Sequence, residues 1–186
     1  MRKRKSTVTQ RPRRVFLVIC EGETEKTYVE TLKRHYRLPI AIKTKVSGNA
    51  ISERLVKRYL NELDLRAGDD FEVFYIYDSD VKGVAEKICS LPGIAILTNP
   101  CIELWFLLHL KDHRRHIESE EAVKTLAGEH SHWKNYEKGK LSPEQRNLLI
   151  ENRHKAADRA KILDFPRNPS SNMHEFITQL EKALKG

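Results

Sequence analysis

Residues 15–26 have the sequence VFLVICEGETEK, in which an uninterrupted apolar run ends in three glutamates around one glycine. The apolar part, 15–20, is short and without polar alternation, which is typical of a strand buried on both faces of a parallel sheet. A helix is predicted over 24–36, because apolar residues recur there at helical spacing. Burying a strand does not require carboxylates at its end, so the acidic residues suggest a functional site.

The alternation of strand and helix continues to residue 97 and predicts the fold class. Strands are predicted at 15–20, 40–46, 71–77 and 94–97, and the helices between them at 24–36, 50–65 and 81–90. This order indicates a doubly wound α/β fold: a mostly parallel four-stranded sheet flanked by helices, with a helical C-terminal extension. The later helices are predicted at 101–110, 119–127, 143–163 and 172–184.

Charge divides the chain into segments. The net charge of the 186 residues is +8, but residues 1–14 contain seven Lys or Arg and no acid, which leaves 27 basic and 26 acidic side chains, about +1, for the rest. We predict a basic disordered tail at 1–14, an α/β core at 15–110 and a helical extension at 111–186, packed on the core within one domain. The tail would either bind phosphate backbones or only aid solubility.

Several classes of protein are disfavoured by composition. No apolar run approaches the roughly 20 residues that cross a bilayer, so we expect a protein that does not enter membranes. Cys20, Cys89 and Cys101 are an odd number without CxxC spacing, which argues against a disulfide framework and a zinc knuckle. A cytoplasmic location is the simplest expectation. No Walker A sequence is present, so ATP hydrolysis would require a partner.

Acidic residues follow two strands that should be neighbours in the sheet. Glu21 comes directly after the first strand, and Asp78 and Asp80 end the third. In a doubly wound sheet these ends meet at one edge, where ligands bind. Clustered carboxylates repel one another, and Mg²⁺ or Mn²⁺ would relieve that repulsion. Glu21 would be a ligand or a base. Alternatively, the DxD sequence is only a turn, and Glu23 and Glu25 only complement the helix dipole.

A further carboxylate occurs in residues 98–110, TNPCIELWFLLHL. The helix predicted here is apolar nearly all round and therefore buried, yet it contains Glu103. A buried carboxylate needs a basic partner, a proton or a metal ion. Because the helix follows the fourth strand, Glu103 could reach the acidic cluster, and a buried salt bridge is the alternative.

Four segments together resemble one protein family: VICEGETEKTYVETL (18–32), FYIYDSD (74–80), TNPCIELWFLLHL (98–110) and NPSSNMHEFITQL (168–180). They are similar to the RloB-like (AbiL-related) proteins, which are placed with the Toprim fold, and the resemblance covers residues 15 to about 184. It implies that the Toprim glutamate is Glu21 and the DxD pair is Asp78 and Asp80. The EGxTE form resembles nucleases of the OLD type and adds Glu25.

The resemblance implies a Mg²⁺-dependent nuclease of phage defence or abortive infection, working with an ABC/SMC-type or AAA ATPase. Many Toprim enzymes carry further acids after the DxD pair, where this chain has Val81-Lys82-Gly83. Either Lys82 contacts phosphate instead, or a second metal site is incomplete.

Basic residues of the extension are weaker candidates for substrate contact. His154 and Arg159 lie on a predicted helix and could face the acidic site or the solvent. Residues 133–140 interleave lysines with Trp133 and Tyr136, a mixture typical of a single-strand or tRNA-like surface, or of a solvated loop over the core.

The preferred hypothesis is a nuclease for DNA or RNA in which Glu21, Asp78 and Asp80 hold Mg²⁺, assisted by Glu25 and Glu103. A non-catalytic regulatory subunit of an ATPase complex is the main alternative, and nucleotidyl transfer is a third. Self-association is left open.

Overall fold

The structure is a computed structural model and describes residues 14–80 and 83–185. Residues 1–13 of the predicted tail, and Lys82, lie outside the described residues. The strands form one sheet in the order β2-β1-β3-β4-β5. Their bounds are β1 Arg14–Cys20, β2 Ala41–Val46, β3 Asp70–Asp78, β4 Ile94–Asn99 and β5 Ser170–Ser171.

The α/β class and the mostly parallel sheet are confirmed, whereas the prediction of four strands is wrong. β1 pairs in parallel with β2 and β3, and β3 pairs in parallel with β4. The fifth strand, β5, joins β4 antiparallel through only two residues, Ser170 and Ser171. Two residues are too few to show an alternating pattern, so this strand has no local signal in the sequence.

Helices cover both faces of the sheet. Their bounds are α1 Glu23–Tyr36, α2 Glu53–Asn61, α3 Val84–Cys89, α4 Ile102–Leu110, α5 Ser119–Glu129, α6 Pro143–Glu151, α7 Arg153–Lys161 and α8 Met173–Lys185. The long helix predicted at 143–163 is two helices, because the chain leaves helical geometry at Asn152. Among these described helices, none has the length and apolar character needed to span a bilayer.

Alternate residues of β1 point into two cores, as the pleat of a strand requires. Phe16 and Val18 belong to one apolar cluster with α1, α4 and α8. Leu17 and Ile19 belong to the other, with α2 and α3. Because β1 is an internal strand with helices on both faces, the residues that follow it are held at a fixed position at the carboxyl edge of the sheet.

Candidate active site

A cavity of about 170 Å³ lies at the carboxyl edge of the sheet, and we call it the acidic pocket. Its walls come from the ends of β1 and β3, the first turns of α1 and α4, and the loop before α6. The lining residues are Glu21, Gly22, Thr24, Glu25, Asp78, Ile102, Glu103 and Lys138. Four of these carry carboxylates and one an ammonium group, so the pocket has an excess of negative charge.

Glu21 and Asp78 meet because their strands are neighbours. The Glu21 amide donates to the Ile76 carbonyl at 3.0 Å, which extends the pairing of β1 with β3 by one residue. Glu21 Oε2 then accepts a hydrogen bond of 3.0 Å from the Asp78 amide. Burial raises the pKa of both carboxyls, and for Asp78, whose pKa is well above its ordinary value, the charges of Glu25 and Glu21 add to the effect.

Glu25 enters the pocket from the first turn of α1. Its Oε2 accepts a hydrogen bond of 2.8 Å from the Gly22 amide, an otherwise unsatisfied donor at the helix N-terminus. The residue is only 5% exposed, and burial raises its pKa to about 7. Glu23 is different: it is exposed and pairs with Lys26 at 3.1 Å, as expected of a charge at a helix end.

Glu103 is completely buried at the start of α4. Its Oε1 accepts a hydrogen bond of 2.8 Å from the Tyr136 hydroxyl. Its Oε2 accepts no hydrogen bond among the described residues and has the Lys138 ammonium at 3.6 Å. The helix itself is fixed to the pocket, since the Ile102 amide donates to Asp78 Oδ1 at 2.8 Å.

Lys138 is held beside the pocket by its neighbours in the loop. The Gly139 amide donates to Thr24 Oγ1 at 2.8 Å, and Thr27 Oγ1 donates to the Gly139 carbonyl at 3.0 Å. Tyr136, on the other side of Lys138, binds Glu103. The loop is therefore attached to both helices that form the pocket, and it presents an ammonium group among the carboxylates.

The loop before α6 is more deeply anchored than its sequence predicts. The interleaved lysines and aromatic residues predict a nucleic-acid surface or a solvated loop over the core, but Trp133 is fully buried in the core and Tyr136 packs against it at 5.4 Å between ring centroids. An exposed stacking role for Trp133 is therefore wrong. The alternation of lysine with aromatic residues is the same for a core-anchored loop as for a binding surface, so the pattern could not separate them.

Three predicted site residues point elsewhere. Asp80 is exposed, does not line the pocket, and accepts a hydrogen bond of 2.7 Å from the hydroxyl of Ser119 at the start of α5. His154 contacts Glu181 at 3.4 Å, and the Arg159 guanidinium donates to the Leu108 carbonyl near the end of α4. The structure thus groups Glu21, Glu25, Asp78 and Glu103, and leaves Asp80, His154 and Arg159 outside.

The donor set of the pocket fits a hard divalent cation. Its donors are carboxylate oxygens, which Mg²⁺ and Mn²⁺ prefer. The buried Oε2 of Glu103 accepts no hydrogen bond from the described residues, although the Lys138 ammonium lies 3.6 Å away. Within residues 14–80 and 83–185, no three acidic, His or Cys side chains already stand in coordinating geometry. Several of the oxygens instead accept hydrogen bonds from backbone amides, at Gly22, Asp78 and Ile102.

Comparison with known proteins assigns the chain to a family. Neither curated proteins nor solved structures give a match. A family model described as RloB-like protein matches residues 16–180. The matched region contains the sheet, the acidic pocket and the loop that carries Lys138, and on this match the chain belongs to the RloB-like family.

Proposed function

We propose that the chain is a metal-dependent nuclease that hydrolyses phosphodiester bonds of DNA or RNA. The observation that carries this proposal is the acidic pocket: four carboxylates, three of them with raised pKa, gather around one cavity beside a single lysine. Such an arrangement is costly for stability without a bound cation, and it lies where ligands bind in open α/β sheets.

Glu21, Asp78 and Glu103 would hold the cation, with Mg²⁺ or Mn²⁺ as the expected ion. When bound, it would polarise a phosphate oxygen and lower the pKa of a water molecule. Asp80 would join these ligands only after exchanging its hydrogen bond with Ser119 Oγ. This set shares Glu21 and Asp78 with the Toprim-like pattern, and the carboxylate of Glu103 takes the place of Asp80.

The protein's own groups supply the remaining chemistry. The Lys138 ammonium lies at the mouth of the pocket and is well exposed, so it can contact a substrate phosphate as well as Glu103. Glu25 lines the same pocket, so its ionised carboxylate would accept a proton from the attacking water.

The biological setting is proposed from family membership alone. A role in defence against phage or in abortive infection, a location in the cytoplasm, and a partner ATPase of the ABC/SMC or AAA type all follow from the resemblance to RloB-like proteins. Self-association is compatible with the same proposal.

Cleavage assays test the activity directly. The full chain is incubated with plasmid, single-stranded DNA and RNA in Mg²⁺, in Mn²⁺ and in EDTA, next to Asp78→Asn and Glu23→Gln. Asparagine keeps the acceptor that binds the Ile102 amide, so the fold should persist. We expect metal-dependent cleavage that falls about 100-fold or more in Asp78→Asn and is unchanged in Glu23→Gln. Cleavage that survives in Asp78→Asn would refute the assignment.

A second candidate is a non-catalytic subunit that binds a cation and regulates an ATPase. The observation in its favour is the position of Asp80, whose carboxylate is bound to Ser119 outside the pocket. This candidate predicts that the purified chain binds Mn²⁺ but cleaves no nucleic acid, with or without its ATPase.

A further inference from the structure

A basic groove of about 750 Å³ lies along α2, and no feature of the acidic pocket accounts for it. Its walls include Arg54, Lys57 and Arg58 from the helix, together with the polar side chains of Ser47, Ser52 and Asn61. No carboxylate is among its lining residues. The groove therefore presents three cations and several hydrogen-bonding groups to one ligand.

The basic residues form a stripe on one face of the helix. Arg54, Lys57, Arg58 and Asn61 are spaced i, i+3, i+4 and i+7, so they lie above one another along α2. Arg54 and Arg58 are about 6 Å apart along the helix axis. This distance is comparable with the spacing of successive phosphates along a nucleic-acid strand.

The charges of the stripe are available to a ligand. Lys57 and Arg58 are 69% and 65% exposed, and their carboxylate partners, Glu53 at 2.7 Å and Glu62 at 3.9 Å, are exposed as well. Ion pairs of this kind contribute little stability and are readily exchanged. Arg54 has no carboxylate within 4 Å in the part of the chain that the structure describes.

Tyr59 makes the floor of the groove rigid. Its ring is nearly buried, and its hydroxyl donates to the Val46 carbonyl at the end of β2, at 3.1 Å. The Lys45 ammonium and the Arg58 guanidinium lie 5.1 and 5.4 Å from the ring centroid. The contact with the Tyr59 ring favours one orientation of the Arg58 guanidinium above the groove.

One end of the groove lies beside the edge of the sheet that carries the acidic pocket. Ser47, which lines the groove, and the next residue, Gly48, are hydrogen-bonded to the end of β1: the Ser47 amide donates to Cys20 O at 3.1 Å, and the Gly48 amide donates to Glu21 O at 2.9 Å. The same loop bonds β3, through Ser47 Oγ and the Tyr77 hydroxyl. The basic residue Arg14 lies at the other end of β1, at the opposite edge of the sheet from the acidic pocket and about 20 Å from Glu21.

We propose that this basic groove binds the phosphodiester backbone of a nucleic-acid strand and guides that strand to the acidic pocket. The second part, guidance to the acidic pocket, rests on the proposed nuclease function. Arg54 and Arg58 contact two successive phosphates, with Lys57 between them on the same face of α2. The Ser52 hydroxyl accepts a hydrogen bond from the Leu55 amide and can donate its own proton to the bound backbone. Phosphate contacts of this kind fix the register of the strand without reading its sequence.

The test measures binding without cleavage, in the full chain carrying Asp78→Asn and in EDTA. Fluorescence anisotropy with labelled oligo-dT and oligo-U of equal length gives the affinity as a function of salt. The groove variant is Arg54→Ala/Lys57→Ala/Arg58→Ala. The matched control, Lys124→Ala/Lys161→Ala/Arg167→Ala, removes the same charge from exposed, ion-paired residues outside the groove.

We expect the groove variant to bind at least tenfold more weakly than the control near physiological salt. The slope of log K against log salt should be smaller by about 1.4, because each of the two phosphates that lose their contact contributes roughly 0.7. Equal affinities and slopes for the groove and control variants would overturn the proposal.

The outcomes separate this inference from the proposed function. If the wild type cleaves with metal, and the groove variant binds and cleaves like the control, the groove assignment fails while the nuclease stands. If binding depends on the groove but the wild type cleaves nothing, the nuclease fails while the groove stands. Circular dichroism melting curves that match the wild type show that each variant is folded.

Discussion

Glu25→Gln should stabilise the metal-free protein at high pH. The carboxyl of Glu25 has an ordinary pKa of 4.5 and a pKa of about 7 in the folded chain, because it is buried among other carboxylates. Since the folded state favours the protonated form, the stability that this group contributes is fully present below about pH 4.5 and is lost as the pH rises through 7. Glutamine mimics the protonated form and keeps an oxygen that can accept from the Gly22 amide.

The magnitude follows from the shift in pKa. A rise of about 2.5 units at roughly 1.4 kcal/mol per unit corresponds to about 3 kcal/mol of unfolding free energy lost at high pH. Urea unfolding in EDTA at pH 5 and pH 8 measures it. The unfolding free energy of Glu25→Gln minus that of the wild type should increase by about 2–3 kcal/mol from pH 5 to pH 8.

A control variant and the addition of metal make this prediction specific to Glu25. Glu23→Gln removes an exposed carboxylate from the same turn and should show no such growth. Saturating Mn²⁺ should reduce the difference in unfolding free energy between Glu25→Gln and the wild type at pH 8, because a cation stabilises the ionised carboxylates. If the difference between Glu25→Gln and the wild type is the same at both pH values, the electrostatic description of the pocket is wrong.

Further predictions concern the loop before α6. Tyr136→Phe leaves Oε1 of buried Glu103 without its hydrogen bond, and should lower the unfolding free energy in urea by about 1–3 kcal/mol. Trp133→Ala empties a fully buried site and should cost about 3–5 kcal/mol in the same assay; a loss under 1 kcal/mol would mean that the loop is not anchored. Lys138→Ala should lower cleavage at least tenfold and Lys138→Arg much less, as measured by initial rates; equal rates for alanine and wild type would exclude the phosphate contact.

Local sequence patterns were sufficient to predict the strands that position the site. The apolar run that forms β1 and the alternation of strands with helices are local signals, and parallel pairing then requires the ends of β1 and β3 to be neighbours. The meeting of Glu21 with Asp78 follows from that topology. Glu103 could be placed from a different local signal, because a carboxylate inside an apolar helix needs a basic partner, a proton or a metal ion.

Contacts between distant parts of the chain could not be predicted in the same way. Asp80 lies two residues beyond the end of β3, where strand pairing no longer fixes the direction of a side chain, and Ser119, 39 residues away, determines its position. Lys138 and Tyr136 reach the pocket only because their loop is anchored on α1 and α4. Such anchoring depends on tertiary packing, which leaves no periodic signal.

Anomalous diffraction from crystals soaked in Mn²⁺ shows whether the acidic pocket is a metal site, because it locates the cation without assuming a substrate. We expect a manganese peak inside the acidic pocket, in contact with carboxylate oxygens of Glu21 and Asp78, that weakens or disappears in Asp78→Asn. A peak only at other sites, or an acidic pocket that stays free of manganese while the crystals are saturated, would contradict it.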